Sequence, residues 1–439
     1  MKKKYRIILY TSIFLLCVVA SIILVVKKSN SVYEEESKPK VVKHKSMLSM
    51  NLEQTAGSGD YKTVTQSSWP TEGYKFNAEL SKCENGSTLS WDDTKKAVIM
   101  QGNVSDKCYV YFDIWIPSIA DYCTSGTDLA TCVKNFGDQG PSVSNIYIHN
   151  SSLTNGAGDN SYRYAGANPN NFVCFGSDAS PCPIDNLYRI IGVFGENYHG
   201  ANGKQLVKLI KYDYMTTDEL GTDGDYSQTY KEWGMDSTYK GTYGDGERIG
   251  VYYWNYKATG SATNTWSTSL LNKTNLNTNF INNIGTTWAN KIATVTWKVG
   301  GNTWANIGTK TSSVAYTNEI TNPVTTNTTD NATTYSAKIG LMYVSDYGFA
   351  ASPDAWTLTM SSYNNTTATN NNWMYMGLYE WTISRRADFS YSAFRVGSDG
   401  GVRGNGVNGS IGVRASFNLE SSVSYVSGSG SMSDPIVIN

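Results

Sequence analysis

The residues WTISRRADFSYSAFRVGSDGGVRGNGVNGSIGVRASFNL, from Trp381 to Leu419, decide the fold expected for this chain. Large apolar residues alternate here with small, polar and turn-forming ones, which indicates strands rather than a helix. The apolar positions are Trp381, Ile383, Phe394, Val396, Val402, Val413, Phe417 and Leu419. We expect these side chains to form a buried frame.

The segment between Ser390 and Gly412 contains seven glycines, four serines, two asparagines and two arginines. Because it has too little apolar area for a core of its own, the framing strands must hold it. Tyr, Ser, Gly, Asn and Arg are residues that adaptable binding surfaces use. We therefore predict a ligand-binding display surface formed by Arg385, Arg386, Asp388, Phe389, Tyr391, Arg395, Ser398, Asp399, Arg403, Asn405 and Asn408. Composition alone equally describes a plain glycine-rich hairpin near a C-terminus.

The composition of the whole chain favours strands. The 439 residues are long enough for two or three domains, and a content of 13% aromatic and 40% hydrophobic residues suffices for packed cores. With 31 Tyr, 12 Trp and only 17% charged residues, the chain lacks the Glu, Lys and Ala of exposed amphipathic helices. The predicted class is β-rich α+β.

An uncharged apolar run extends from Ile7 to Val26 and is long enough to cross a bilayer. Lys2, Lys3, Lys4 and Arg6 precede it, whereas Lys27 and Lys28 follow it. This bias predicts a single-pass transmembrane helix with a cytoplasmic N-terminus and an extracellular body. A cleaved signal peptide is the alternative. These six positive charges leave −7 for residues 29–439, which argues against a nucleic-acid partner.

Six cysteines follow the apolar run, an even number that predicts disulfides outside the cell. Proximity in sequence suggests the pairs Cys83 with Cys108, Cys123 with Cys132, and Cys174 with Cys182, although six cysteines allow 15 connectivities. There is no C-x-x-C motif, and only three histidines occur, so no metal site is predicted.

The chain divides into five predicted parts. Residues 1–28 are the transmembrane anchor, 29–60 a flexible tether, 61–117 a small β-sandwich, 118–150 a connector, and 151–439 the display domain. Within the last part we predict a strong β-hairpin from Leu187–Phe194 and Gln205–Asp213. Residues 255–336 form an insertion rich in Asn and Thr, with a short helix in LLNKTNLNTNFINNI and a flexible loop from Thr321 to Thr334.

Several motifs, among them YRYAGANPNNFVCFG, NLYRIIGVFG, KIGLMYVSDYGFAAS and GVRASFNLESSV, resemble membrane-anchored surface proteins of gut Gram-positive bacteria. The likeness covers roughly residues 60–439. It implies a C-type-lectin-like C-terminal domain, the fold of formylglycine-generating-enzyme-type proteins and of the variable proteins of diversity-generating retroelements. It also implies that Leu187–Phe194 lies near Val413–Leu419. The VRPSF-like ending of those proteins is here Val413-Arg414-Ala415-Ser416-Phe417, without the proline.

These features predict a membrane-anchored binding protein, adhesin-like or receptor-like, for an extracellular protein or glycan. The resemblance implies that its outward positions vary between copies. With three histidines and no cysteine after Cys182, we expect no enzyme, and no cofactor is predicted. Two alternatives remain: a structural cell-envelope or pilus-associated subunit, and a glycan-active enzyme using Glu319 with Glu380 or Asp346 with Asp354.

Overall fold

The computed structural model describes residues 48–65, 68–70, 72–102, 105–222, 228–229, 239–243, 248–256, 262–323 and 332–439. The predicted anchor, the tether up to residue 47 and the middle of the predicted 321–334 loop lie outside these ranges. Within the ranges, no helix combines the length and apolar character needed to cross a membrane. The chain divides into two compact units, Met1–Ile116 and Pro117–Asn439.

Unit 1 is built from a four-stranded sheet and a separate hairpin. Its strands are β1 (Leu48–Glu53), β2 (Tyr61–Val64), β3 (Tyr74–Cys83), β4 (Thr88–Asp92), β5 (Ala97–Gln101) and β6 (Cys108–Ile114). The sheet order is β2-β1-β6-β3, and β4 pairs with β5. The hairpin supplies Trp91, whose ring lies 5.7 Å from that of Phe112, at the centre of a core that also contains Met50, Trp69 and Val110.

The predicted tether is wrong over its last part, because β1 begins at Leu48. This strand pairs in parallel with β6, with Leu48 opposite Cys108 and Leu52 opposite Phe112. Met50 is buried in the core of the unit, so β1 buries apolar area that offsets the entropy of ordering the segment.

All three predicted disulfides are confirmed: Cys83–Cys108, Cys123–Cys132 and Cys174–Cys182. The first joins the ends of β3 and β6 in unit 1, where the two residues are directly paired. The other two lie in unit 2 and close short loops.

Unit 2 combines many strands with short helices, so the β-rich α+β class is confirmed. Its strands are β7 (Ile146–Ile148), β8 (Tyr162–Tyr164), β9 (Phe172–Cys174), β10 (Leu187–Phe194), β11 (Leu206–Lys211), β12 (Gln228–Thr229), β13 (Gly250–Tyr252), β14 (Val295–Lys298), β15 (Thr334–Ala337), β16 (Ile339–Gly340), β17 (Glu380–Arg385), β18 (Ser392–Val396), β19 (Val402–Gly406), β20 (Ile411–Gly412), β21 (Ser416–Asn418), β22 (Tyr425–Ser427) and β23 (Val437–Ile438). The helical segments are Ile119–Asp121, Leu129–Gly137, Pro141–Ser144, Ile184–Asn186, Asn197–His199, Thr217–Leu220, Trp266–Thr268, Leu271–Phe280, Ile281–Asn283, Gly285–Ala289, Trp304–Ile307, Ser312–Tyr316, Thr317–Thr321, Val344–Phe349, Pro353–Thr357, Met360–Ser362 and Thr366–Asn370.

Two sheets organise unit 2. The first runs β16-β21-β11-β10-β8-β7, with β9 also paired to β10, and the second runs β12-β13-β20-β17-β18-β19. The predicted hairpin is confirmed as the antiparallel pair β10 and β11. Its second strand, β11, pairs with β21, and the Tyr188 ring of β10 lies 5.4 Å from that of Phe417. The strand β21, which follows the glycine-rich segment, therefore returns to the early hairpin.

The predicted connector 118–150 is wrong as a description, because this segment belongs to the core of unit 2. Asp128 caps the helix Leu129–Gly137 by accepting a hydrogen bond from the Thr131 amide at 2.8 Å. Leu129, Val133 and Phe136 are buried in the main apolar cluster of the unit.

The Asn/Thr-rich insertion also contributes to that core. The predicted helix is present as Leu271–Phe280, continued by Ile281–Asn283, and it buries Leu271, Leu276 and Phe280. Its asparagines hold neighbouring backbone: the Asn275 amide, for example, donates to the Leu220 carbonyl at 2.8 Å. Amide side chains that bond backbone explain how so polar a sequence can be buried.

Candidate functional site

The framing strands present one apolar and one polar face. The predicted frame residues are all buried: Trp381, Ile383, Phe394, Val396, Val402, Val413, Phe417 and Leu419. In the antiparallel pair β18–β19, Arg395 is opposite Arg403 and Ala393 is opposite Asn405. Because successive side chains of a strand point to opposite faces, Arg395, Arg403 and Asn405 share the outer face and are partly exposed.

Ten of the eleven predicted display residues reach the surface. Phe389, Tyr391, Asp399 and Asn408 are exposed, whereas Arg386, Asp388, Arg395, Ser398, Arg403 and Asn405 are half-buried. They lie on β18 and β19 and on the turns that precede and follow these strands. We call these ten residues the display face. Their side chains do not all point the same way, because Arg386 packs over Gly404, on the side of β19 opposite to Arg403 and Asn405.

Arg385 is the exception, and its prediction is wrong. Its side chain is buried at the end of β17, and its Nε donates to the Val299 carbonyl at 3.0 Å. Burial lowers the pKa of this guanidinium to about 10. All six residues of β17 are buried, so the strand is covered on both faces, whereas Arg395 of the neighbouring strand β18 is partly exposed.

The turn between β17 and β18 carries an exposed aromatic pair. The rings of Phe389 and Tyr391 lie 4.9 Å apart in an edge-to-face arrangement, and 44% and 50% of these residues are exposed. Beside them, Arg386 donates two hydrogen bonds to Asp388, at 3.0 and 2.8 Å, and its guanidinium lies 5.0 Å from the Phe389 ring. Hydrogen bonding from Arg386 lowers the pKa of Asp388, which therefore carries its charge at neutral pH.

This turn is fixed from behind by the Asn/Thr-rich insertion. The buried Asn264 donates to the carbonyls of Arg386, Phe389 and Ser392 at 2.7, 2.9 and 2.7 Å. The Ala387 amide also donates to the Asn302 carbonyl at 2.9 Å. The aromatic pair is thus held in place before any ligand arrives.

A second charged corner lies at the turn between β18 and β19. Arg403 donates to both carboxylate oxygens of Asp399 at 2.6 and 2.7 Å, which lowers the pKa of Asp399. Gly400 has φ of 88°, and a Cβ there would lie 2.8 Å from the Tyr363 carbonyl oxygen, so the turn requires glycine.

Arg395 lies between the two corners. Its guanidinium stacks 4.0 Å from the centre of the Tyr379 ring, and its Nε donates to the Asn405 side chain at 3.3 Å. Two arginines directly opposite each other on paired strands repel. Stacking of Arg395 on Tyr379 and ion pairing of Arg403 with Asp399 offset that repulsion.

The carboxylate pairs considered for a glycosidase do not share an open cleft. Glu319 is buried and accepts hydrogen bonds from the Val344 and Ser345 amides at 2.9 and 3.0 Å. Glu380 is buried against Arg414, and Asp346 is buried whereas Asp354 is exposed. A glycosidase needs two carboxyl groups that face one substrate.

A buried cluster of charged groups was missed by the sequence analysis. Asp159 accepts from Arg163 at 2.8 Å, from the Tyr316 hydroxyl at 2.8 Å, and contacts His199 Nε2 at 2.9 Å. Burial alone would raise the pKa of Asp159, but Arg163 and His199 hold it far below its ordinary value. Lys208 and Asp346 continue the cluster. The sequence feature that could have indicated this cluster is a charged residue among apolar or aromatic ones. Arg163 lies between two tyrosines, and Lys208 lies within Leu206–Ile210.

One group of possible metal ligands lies among the residues that the structure describes, namely Cys83, Asp106 and Cys108. The two sulfurs are joined in a disulfide, and Asp106 accepts hydrogen bonds from the Asn85 and Ser87 amides at 2.8 and 3.0 Å. These contacts give the cluster a structural role.

Comparisons with protein-family models, with curated proteins and with solved structures found no match to this chain.

Proposed function

We propose that this chain is a membrane-anchored extracellular binding protein, adhesin-like or receptor-like, which contacts its ligand through the display face. The observation that carries the proposal is the exposed Phe389–Tyr391 pair, braced by Arg386 and Asp388 and held by Asn264. Aromatic and arginine side chains dominate the energetics of protein interfaces. Their exposure here costs hydration free energy that a ligand would recover.

The geometry of the turn favours binding over a passive surface. An exposed aromatic pair on a mobile loop would lose conformational entropy when a ligand bound, whereas a turn fixed by Asn264 has already lost it. The display face also offers the ion pairs Arg386–Asp388 and Arg403–Asp399 and the Arg395 guanidinium stacked on Tyr379. Such a surface suits a ligand with apolar, anionic and hydrogen-bonding groups together, as extracellular proteins and glycans have.

The proposed anchor is the uncharged run Ile7–Val26, and the proposed fold of unit 2 is C-type-lectin-like. Two features support this fold. The late strand β21 pairs with β11 of the early hairpin, and the display strands lie in the long stretch of chain between these two strands. In the variable proteins that this chain resembles, the outward residues of such a face differ between copies.

Diversification of the face can be tested in nucleotide sequences of close relatives. We expect substitutions to concentrate at codons of the display face and at adenine positions of a template repeat, while the frame codons stay unchanged. Substitutions spread evenly over both sets of codons would remove the diversification claim and leave the binding proposal in place.

The binding proposal is tested by probing glycan and protein arrays with the full-length chain in a mild detergent. We expect saturable binding to a restricted set of spots, weakened by salt because charged groups contribute. Size-exclusion chromatography and cross-linking of the same sample test the structural alternative. Obligate assembly of the chain, with no array binding above that of a detergent-only control, would favour an envelope subunit instead.

A further inference from the structure

Lys208 and Asp346 meet in the core of unit 2. Lys208 lies on β11, Asp346 lies in the helix Val344–Phe349, and only 2% and 0% of their side chains are exposed. Lys208 Nζ lies 2.5 Å from Asp346 Oδ2. The carboxyl carbon, one bond further away, therefore falls near the separation of about 3 to 3.5 Å at which positioned groups react.

Three aromatic rings surround the Lys208 ammonium, and the pair is buried. The rings of Tyr343, Trp297 and Phe194 lie 4.4, 5.2 and 5.7 Å from Lys208 Nζ. A low-dielectric environment disfavours separated charges, so moving the proton from the ammonium to the carboxylate costs less here than in water. Burial lowers the pKa of Lys208, which favours the neutral amine. Burial alone would raise the pKa of Asp346, but Lys208 and Arg163 lower it, so the ion pair is the main state and the neutral pair is the form that reacts.

Groups that could assist a reaction surround the carboxyl. The Tyr343 amide donates to Asp346 Oδ2 at 3.0 Å, and Arg163 Nη1 lies 3.5 Å from Oδ1. Both would stabilise negative charge that develops on these oxygens when a nucleophile attacks the carbon. Glu319 binds the amides of Val344 and Ser345, the two residues before Asp346, and burial raises its pKa to about 7.

We propose that Lys208 and Asp346 form an intramolecular amide cross-link in the folded protein. The neutral Nζ of Lys208 attacks Cγ of the protonated Asp346 carboxyl, so that a C–N bond forms and the C–OH bond breaks. The hydroxyl leaves with one proton from the nitrogen as water. An ion pair becomes a neutral amide, and the step needs no oxidant, reductant or other reactant.

The cross-link would join β11 to a helix 138 residues further along the chain. Because β11 also pairs with β10 and β21, the bond would tie the centre of the first sheet to the segment that leads into the display strands. It would hold unit 2 together under conditions that reduce disulfides. This inference is independent of what the display face binds.

Mass spectrometry of the full-length chain, denatured and with its disulfides reduced, tests the proposal. We expect the mass to be lower than that of the sequence by one water molecule. A proteolytic digest should yield a branched peptide that joins the Lys208 and Asp346 fragments. A mass equal to that of the sequence, together with a linear Lys208 peptide, would overturn the cross-link and leave an ordinary ion pair.

Two variants sharpen the test. Lys208→Met should restore the full mass, whereas Lys211→Arg should keep the loss of water. Lys211 is the matched control because it is a buried lysine of the same strand whose carboxylate partner, Glu219 at 2.9 Å, is 22% exposed. A loss of water that persists in Lys208→Met would show that another pair of residues is responsible.

Discussion

Replacing Arg414 by alanine is expected to lower the free energy of unfolding of unit 2 by about 3 to 5 kcal/mol, since it leaves a buried carboxylate without its partner. Arg414 and Glu380 are both buried and form two hydrogen bonds of 2.8 Å. Arg414 also donates to the Met374 carbonyl at 2.7 Å. The pair joins the segment before β21 to the start of β17, which pairs with the display strand β18 in the same sheet.

Urea unfolding followed by tryptophan fluorescence measures the loss, and Arg403→Ala is the control. Arg403 forms an equally short pair with Asp399, but the two side chains are 38% and 45% exposed. Its removal should cost about 1 kcal/mol or less. The double variant Arg414→Met with Glu380→Leu should recover much of the loss, because no unpaired charge remains. Equal small losses for Arg414→Ala and Arg403→Ala would contradict a structural role for the buried pair.

The second large effect concerns pH and Glu319. Burial, the main cause, raises the pKa of this carboxyl from 4.5 to about 7 even though two backbone amides bond it. The folded state therefore holds its proton more tightly than the unfolded state between these values. The contribution of Glu319 to the free energy of unfolding is fully present below pH 4.5. It falls by about 3 kcal/mol as the pH rises to 7. Glu319→Gln should abolish that fall.

The contribution of Glu319 is obtained by subtraction, because other buried groups titrate in the same range. Burial lowers the pKa of His149 and His199, so their contributions rise with pH, whereas burial raises the pKa of Glu380, whose contribution falls. Unfolding free energies of the wild type and of Glu319→Gln should be measured between pH 4.5 and 7.5, with the surface variant Glu196→Gln as control. Parallel curves for the wild type and Glu319→Gln would show that Glu319 does not titrate in this window.

The features that could be predicted from the sequence are those that depend on residues close together in the chain. Alternation at Phe394 and Val396 identified the buried face of β18, and closeness in sequence identified all three disulfides. The apolar runs at Leu187–Phe194 and Leu206–Lys211 identified the central hairpin. Each of these depends on residues within about one hairpin of one another, where period and turn chemistry decide the outcome.

Long-range contacts account for the errors. Arg385 is buried because Val299, from the distant insertion, covers the end of β17. The segment Leu48–Glu53 is a strand because β6, more than fifty residues later, pairs with it. The residues of neither segment indicate which distant segment will pack against it. The buried charges of Arg163 and Lys208 were detectable in the sequence, because both lie among apolar or aromatic residues, and a charge that is buried there needs a partner.

The most direct test of the proposed display face is whether ligand binding and folding stability depend on different residues. The variant Phe389→Ala with Tyr391→Ala removes the aromatic pair, and Tyr198→Ala removes an equally exposed aromatic from the turn between β10 and β11. Both variants and the wild type are compared on the same glycan and protein arrays and in the same urea titration. We predict that only the double variant loses array binding, while all three chains unfold at nearly the same urea concentration. Retained binding by the double variant would contradict the display face as the ligand site.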